Sequence, residues 1–157
     1  MLHLEEQITA IEKTLTQKAQ DDHACQRLLT IPGVGLLSAT ALVAAVGDVS
    51  VFKNGREMAA WLGLVPRQHS TGGKPTLLGI SKRGDTYLRT LMIHGGRSIV
   101  RCSDKHNDKR NRWLSTLKQR RGNNIATVAA ANKNARIAWA ILTQQSRYQR
   151  DHSGVTA

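Results

Sequence analysis

The segment Leu28-Leu-Thr-Ile-Pro-Gly-Val-Gly-Leu-Leu-Ser-Ala-Thr-Ala41 has the pattern of two helices joined by a very tight turn. Gly33 and Gly35 allow this turn and leave the backbone N–H groups at the start of the second helix unobstructed. Such N–H groups, together with the helix dipole, suit a phosphate oxygen. The segment therefore predicts a helix-hairpin-helix that holds a nucleic-acid backbone without reading its sequence, and a plain helical corner is the alternative.

Helical periodicity continues on both sides of this turn. Leu4, Ile8, Ile11 and Leu15 form the narrow apolar seam of an amphipathic helix over residues 2–20. That helix packs either on its own domain or as a coiled coil. Further helices are predicted at 22–30, capped by Asp21 or Asp22; at 36–46; at 55–62, capped by Asn54 with Glu57; from Ser81 or Asp85 to about Val100; within 101–121; and from Asn123 or Asn124 to Gln144.

The composition favours packed helices over sheets. Hydrophobic residues make up 40% of the 157 residues but aromatic residues only 4%, so the core is built from Leu, Ile, Val and Ala. Gly95-Gly96 inside a predicted helix indicates close helix packing or a kink. The predicted fold is mainly α: a helical domain with a helix-hairpin-helix and a short irregular hairpin or loop, preceded by a coiled-coil-like helix.

The charge predicts a polyanionic partner. With 23 Lys and Arg against 11 Asp and Glu, the net charge is +12, which points first to nucleic acid and second to an anionic membrane surface. Cys25 and Cys102 are too few for a disulfide framework. There is no signal-peptide pattern, and the charge-free stretch 28–47 is broken by its Pro-Gly turn. We expect a soluble, cytoplasmic protein with no membrane partner.

Residues 66–83 are rich in turn formers and predict an exposed loop or irregular hairpin. Ser70 precedes Thr71 and two glycines there, so its hydroxyl can be presented openly. Nearby cations would lower the cost of forming an alkoxide and would hold a scissile phosphate, although Ser-Thr-Gly-Gly is also an ordinary turn. The candidate phosphate-binding residues around it are Arg67, Lys74, Lys82, Arg83 and Arg89.

A second basic region lies at 101–121, where Trp113 stands among Lys109, Arg110 and Arg112. Cations interleaved with an aromatic ring favour nucleic-acid contact, and a solvated helix face is the alternative. The Cys and His pairs at 23–25 and 102–106 are weak metal signals, and no metal ligand is predicted.

Four motifs occur in order along the chain: Ile31-Pro-Gly-Val-Gly35, Trp61-Leu-Gly-Leu-Val-Pro66, Ser70-Thr-Gly-Gly-Lys74 and Ile80-Ser-Lys-Arg-Gly-Asp-Thr-Tyr-Leu-Arg89. Over roughly residues 4–102 the chain resembles the C-terminal domain of bacterial insertion-sequence transposases of the DEDD-plus-serine class, whose members are guided by a bridge RNA. In that family an N-terminal RuvC-like domain carries metal-binding carboxylates. A coiled-coil helix joins it to a helical domain with a nucleophilic serine.

The resemblance implies that Ser70 is the nucleophile. Counting forward from Pro66 can instead align Thr71 with the family serine, whereas counting back from Ser81-Lys82 favours Ser70. No grouping among the 11 acidic residues suggests a metal site on strands. We therefore expect the RuvC-like domain, and the Mg²⁺ that it binds, to lie outside this chain, which itself needs no cofactor.

The predicted function is DNA transposition by a truncated chain. Residues 1–20 would be the end of a coiled coil that forms a homo-oligomer, 21–145 the DNA-binding and strand-transfer domain, and 146–157 a flexible tail. DNA is the expected partner, with a guide RNA as a further one, and activity would need the carboxylate domain. The alternatives are a non-catalytic nucleic-acid-binding module and a dimerising fragment that modulates a full-length transposase.

Overall fold

The computed structural model describes residues 2–71 and 74–150, which form helices and one two-stranded sheet. This confirms the mainly α fold. Short 3-10 turns lie at Val49–Val51 and Ser103–Lys105. The α-helices and strands, in chain order, are α1 (Leu2–Asp21), α2 (His23–Leu28), α3 (Leu36–Val46), α4 (Gly55–Trp61), β1 (Pro66–Thr71), β2 (Lys74–Ile80), α5 (Thr86–Cys102), α6 (Lys109–Arg121) and α7 (Asn123–Gln144).

Helix α7 lies at the centre of the fold and packs against α2, α4, α5 and α6. Its buried positions are mostly alanines, which let the neighbouring helices approach closely: Ala126, Ala130, Ala131, Ala135, Ala138 and Ala140. Three of its polar side chains bond backbone carbonyls of other segments at 3.0 Å each. Asn132 donates to Leu64, Asn134 to Pro32 and the Trp139 indole to Phe52. Helix α7 thus holds three segments of the first half of the chain by side-chain hydrogen bonds.

Side-chain caps begin most of the helices where the sequence predicts them. Asp22 accepts from the Ala24 and Cys25 N–H groups at the start of α2, and Asp85 accepts from Leu88 at the start of α5. Asn54 caps α4 in the same way. The predicted asparagine cap of α7 is wrong, because Gly122 alone separates α6 from α7 and occupies the cap position at φ 85°, a conformation that suits glycine.

The turn after α2 packs directly on the middle of α5. Gly33 has φ +83°, and a Cβ on Gly95 would lie only 1.9 Å from the Gly33 carbonyl oxygen. A Cβ on Gly33 would lie 2.6 Å from the Gly95 oxygen and from the Ile99 side chain. The two backbones therefore touch, which confirms the close packing expected at Gly95-Gly96 and gives Gly33 a packing role.

Helix α1 joins the rest of the chain through its C-terminal end. Ala19 is buried, and its carbonyl accepts a 2.8 Å hydrogen bond from the Gln26 side chain. The seam residues Leu4, Ile8 and Ile11 are 64%, 53% and 60% exposed. Within the described part of the chain, no other element covers the first turns of α1.

The segment 146–150, expected to belong to a frayed tail, returns to the body of the protein. The Tyr148 N–H donates to the Thr30 hydroxyl at 2.9 Å, and the Tyr148 ring lies 5.6 Å from the Arg110 guanidinium carbon. The backbone and the ring of Tyr148 thus both contact other parts of the chain, while 151–157 lie outside the described residues and the flexible tail at 146–157 stays a prediction. Among the described helices, none is long and apolar enough to cross a membrane.

Candidate nucleic-acid interface

The two strands form an antiparallel hairpin that is held at its base. Ser70 pairs with Pro75, and the register shifts between Pro66 and Gln68. Beyond β2 the chain continues alongside the residues before β1, because the Ser81 N–H donates to the Val65 carbonyl at 2.8 Å. The backbone of Ser70 and of Lys74 therefore lies in the paired part of the hairpin. Their side chains, and all of Gly72 and Gly73, lie outside the described part.

A broad groove of about 1880 Å³ runs between the base of this hairpin, α4, α6 and α7. Arg67 of β1 and Lys82 just after β2 line one side, and Lys109 at the start of α6 lines another. All three side chains are exposed. The structure therefore brings together three of the predicted phosphate-binding residues, of which Arg67 and Lys109 are 42 residues apart in the sequence.

The charge of the groove has one sign. Eleven Lys and Arg residues line it, and none of its described lining residues is Asp or Glu. Arg120 and Arg121 belong to the basic region predicted at 101–121, whereas the sequence predictions missed five other cations of the groove: Arg56, Lys133, Arg136, Arg147 and Arg150. Lys133 and Arg136 were detectable in principle, since they are three residues apart on one helix and share a face.

Two predicted phosphate-binding residues, Arg89 and Arg110, are instead buried. Arg89 is 9% exposed and donates to the Thr86 hydroxyl at 3.2 Å and to the Gly84 carbonyl at 3.5 Å. Arg110 is 6% exposed and donates to the Asn134 side-chain oxygen and, at 3.4 Å, to the Tyr148 hydroxyl. Each lies on the inward side of its helix. Arg89 is therefore a structural residue, and Arg110 contacts the groove only from beneath its surface.

Two further predicted residues, Arg83 and Arg112, are exposed but do not line the groove. Arg112 donates to the Asn107 carbonyl at 3.3 Å. The phosphate-binding prediction for these two positions remains a prediction.

Cations crowd one another where α6 meets α7. Burial lowers the pKa of Lys133, and the charges of Arg110, Arg136 and Lys109 lower it further. The Lys133 ammonium lies 4.6 Å from the centre of the Trp113 ring, which is itself 37% exposed. The groove thus combines closely spaced cations with an accessible aromatic surface.

The turn that contains Gly35 is a separate feature, because neither Gly33 nor Gly35 lines this groove. Gly35 occupies the cap position of α3 with ordinary extended backbone angles and without a side-chain hydrogen bond. A Cβ there would meet nothing within 4 Å. The start of α3 is therefore open, as phosphate contact requires, although Gly33 is packed against α5.

Groups of three or more His, Cys, Asp or Glu that could hold a metal ion do not occur among the described residues. Cys25 is buried, and burial followed by the charge of Asp22 raises the pKa of its thiol.

Comparison with known proteins gives a consistent result. Residues 25–111 match the profile of a family described as Transposase IS116/IS110/IS902 family. A "Probable family 20 transposase" of Pseudomonas aeruginosa is 53% identical over 146 residues, which cover 93% of this chain and 43% of that protein. The transposase for insertion sequence element IS1111A of Coxiella burnetii is 50% identical over 149 residues, 95% of this chain and 41% of that protein. The chain thus spans about two fifths of the length of these curated relatives.

Proposed function

Because the chain belongs to the transposase IS116/IS110/IS902 family, we propose that it is the DNA-binding and strand-transfer part of an insertion-sequence transposase. The observation that carries this proposal is the cationic groove at the base of the hairpin that contains Ser70. Arg67 lies three residues before Ser70 on the same strand, and Lys82 and Lys109 complete the rim. A DNA phosphate held on this rim would lie beside the hairpin.

The proposed chemistry is attack of the Ser70 hydroxyl on a DNA phosphodiester. The Ser70 oxygen forms a bond to phosphorus, the bond from phosphorus to one sugar oxygen breaks, and that oxygen leaves with a proton as the strand's free hydroxyl. The result is a phosphoserine link between protein and DNA. Fixed cations stabilise the extra negative charge of the transition state, which is the usual contribution of Lys and Arg at a transferring phosphoryl group.

Two partners complete the proposal. Mg²⁺ belongs to a carboxylate-bearing RuvC-like domain, on a longer chain or on a second polypeptide, and a guide RNA selects the DNA target. A second copy of the protein covers the exposed seam of α1, since Leu4, Ile8 and Ile11 are spaced as a coiled-coil seam and are more than half exposed.

A covalent trap tests the nucleophile. The chain is combined with the carboxylate domain on a second polypeptide, the guide RNA, and a nicked DNA substrate that carries the end of the element. The protein is expected to become linked to DNA, and Ser70→Ala is expected to abolish the link while leaving DNA affinity nearly unchanged. Thr71→Ala is the matched variant, and it should retain the link.

The other outcomes decide between the alternatives. Loss of the adduct in Thr71→Ala alone would assign the nucleophile to Thr71 instead of Ser70. Unchanged DNA binding without any adduct in the wild-type protein would favour a nucleic-acid-binding module. An effect only on a co-expressed full-length transposase would favour a modulating fragment.

A pair of variants at Gly35 tests phosphate contact at the start of α3. Asp and Asn both cap helices well, so Gly35→Asp and Gly35→Asn should fold equally well. Only the aspartate would repel a phosphate. We expect Gly35→Asp to weaken duplex DNA binding about tenfold relative to Gly35→Asn, since like charges brought together cost on the order of 1 kcal/mol or more. Equal binding by the two variants would make the turn purely structural.

A further inference from the structure

The part of the groove between α6 and α7 has an apolar floor under its cationic rim. Leu117 of α6 and Ile125, Val128 and Ile137 of α7 line it together with Trp113. Ile125 is 53% exposed and Trp113 is 37% exposed. A duplex presents mainly phosphates to a protein groove, and phosphates gain nothing from such a floor. The flat faces of unpaired bases do gain from it, since bases stack favourably on aromatic side chains.

The buried Arg110 guanidinium supports an anionic ligand independently. Its Nε atom is buried and has no hydrogen-bond partner, and no carboxylate of the described residues lies within 4.0 Å of its nitrogens. The partners that it does have, Asn134 and Tyr148, are neutral. Since an isolated buried charge is costly, an anion that enters the groove would offset part of that cost.

The positions of Lys133 and Trp113 connect the two observations. The Lys133 ammonium lies 4.6 Å from the Trp113 ring centre, so the charge and the stacking surface are adjacent. The like charges of Arg110, Arg136 and Lys109 around Lys133 would all be relieved by one phosphate. A nucleotide provides both a base for the ring and a phosphate for the cations.

We infer that the α6–α7 part of the groove binds an unpaired nucleic-acid strand, with a base stacked on Trp113 and the adjoining phosphate at Lys133 and Arg110. This inference rests on the proposed nucleic-acid function and narrows it, because the rim beside the hairpin suits any phosphodiester whereas the apolar floor suits only a strand whose bases are exposed.

Titration of the full chain with three fluorescently labelled probes tests the inference: oligothymidylate, oligouridylate and a DNA duplex of equal length. At least one single strand should bind about tenfold or more tightly than the duplex at the same salt concentration, and the tighter of the two identifies the strand as DNA or RNA. Trp113→Ala should reduce single-strand affinity by about tenfold and leave duplex affinity unchanged, whereas Trp113→Phe, which keeps a ring, should retain most of it.

Matched controls separate the groove from general surface effects. Tyr87 is an aromatic residue that is 59% exposed but lies outside the groove, so Tyr87→Ala should have no effect. Lys133→Ala should weaken single-strand binding more than Arg112→Ala, because Arg112 lies on α6 outside the groove. Circular dichroism of each variant confirms that the fold is intact.

Two results would overturn the inference. One is a duplex that binds as tightly as both single strands, and the other is a Trp113→Ala variant that loses no more single-strand affinity than Tyr87→Ala. Duplex binding and the Ser70 adduct would survive either result, so the proposed function would stand. If the protein binds none of the three probes, both the inference and the proposed function are wrong.

Discussion

The two longest helices among the described residues, α7 and α1, are nearly equal in length but differ in burial. Helix α7 has 22 residues, and neighbouring helices bury most of its apolar side chains. Helix α1 has 20 residues and is buried only near Ala19. Both contain apolar residues at helical spacing, but α7 uses alanines on several sides, whereas α1 concentrates larger side chains on one seam.

The difference shows how the width of an apolar face relates to the number of partners. A broad face of small residues lets several helices approach at once, and this is what places α7 at the centre. A narrow seam of Leu and Ile fits one helix only. Within the described chain that single partner is missing over the first turns of α1, so changes in α7 and its neighbours should affect folding, while changes in α1 should affect association.

The largest effect on stability is expected from a substitution at Gly96, where α5 packs against α7. A Cβ there would lie 2.6 Å from the Thr127 carbonyl oxygen, which is backbone and cannot move aside alone. Gly96→Val should lower the free energy of unfolding by roughly 3 kcal/mol, as measured by urea denaturation. Gly79→Val is the control, because a Cβ at Gly79 meets nothing within 4 Å. Equal stability of the two variants would contradict the central position of α7.

The next effect concerns the polar contact between α7 and α6. Asn134 is 1% exposed, accepts from Arg110 and donates to the Pro32 carbonyl at 3.0 Å. Asn134→Ala should cost about 2 kcal/mol, because it leaves a buried guanidinium and a carbonyl unsatisfied. Adding Arg110→Met should recover part of that loss in a double-mutant cycle, since the unpaired charge is then removed as well. Strict additivity would mean that the two side chains do not act together.

A smaller effect is expected at Asp108, which caps α6 on the Asn111 N–H. Asp108→Ala should cost about 1 kcal/mol at neutral pH. Burial raises the pKa of Asp108, but hydrogen bonds from the Asn111 backbone and side chain and from the Arg110 backbone, together with the Arg150 charge, outweigh it, so the pKa lies below the usual range of an aspartate. The stabilising contribution is therefore complete above about pH 4 and is lost as the pH falls through the lowered value. The stability difference between wild type and Asp108→Ala should narrow in acid.

The smallest effect on stability is expected in α1. Ile8→Glu with Ile11→Glu should change the unfolding free energy at low protein concentration by no more than about 0.5 kcal/mol, because both side chains are already exposed. The same pair should shift the molecular mass in light scattering towards the monomer. Glu12→Gln, which lies beside the seam, should leave the mass unchanged. A wild-type protein that is monomeric at every concentration would contradict the proposed coiled coil.

Local patterns in the sequence were sufficient for the helices and most of their caps, because capping and periodicity depend on residues a few positions apart. Asn54 caps α4 as predicted, and of the alternatives that the sequence offered for α2 and α5 the structure has Asp22 rather than Asp21 and Asp85 rather than Ser81. The sequence could not show that Arg89 and Arg110 face inward, since burial of an arginine depends on distant partners such as Asn134 and Tyr148. The spacing of Lys133 and Arg136 indicates a shared face of α7, but the sequence could not show that this face joins α6 and the hairpin in one groove.

The central position of α7 also means that the early helices are synthesised well before the helix that covers them. The Asn134 bond to Pro32 and the Tyr148 bond to Thr30 join residues 102 and 118 positions apart. At about 5–20 residues per second, a ribosome completes α7 roughly ten seconds after α2. During that interval the apolar faces of α2, α4 and α5 lack the helix that covers them. We therefore expect these apolar faces to stay exposed until α7 emerges, and an open reading frame that stops before residue 123 should yield a product that aggregates or is degraded.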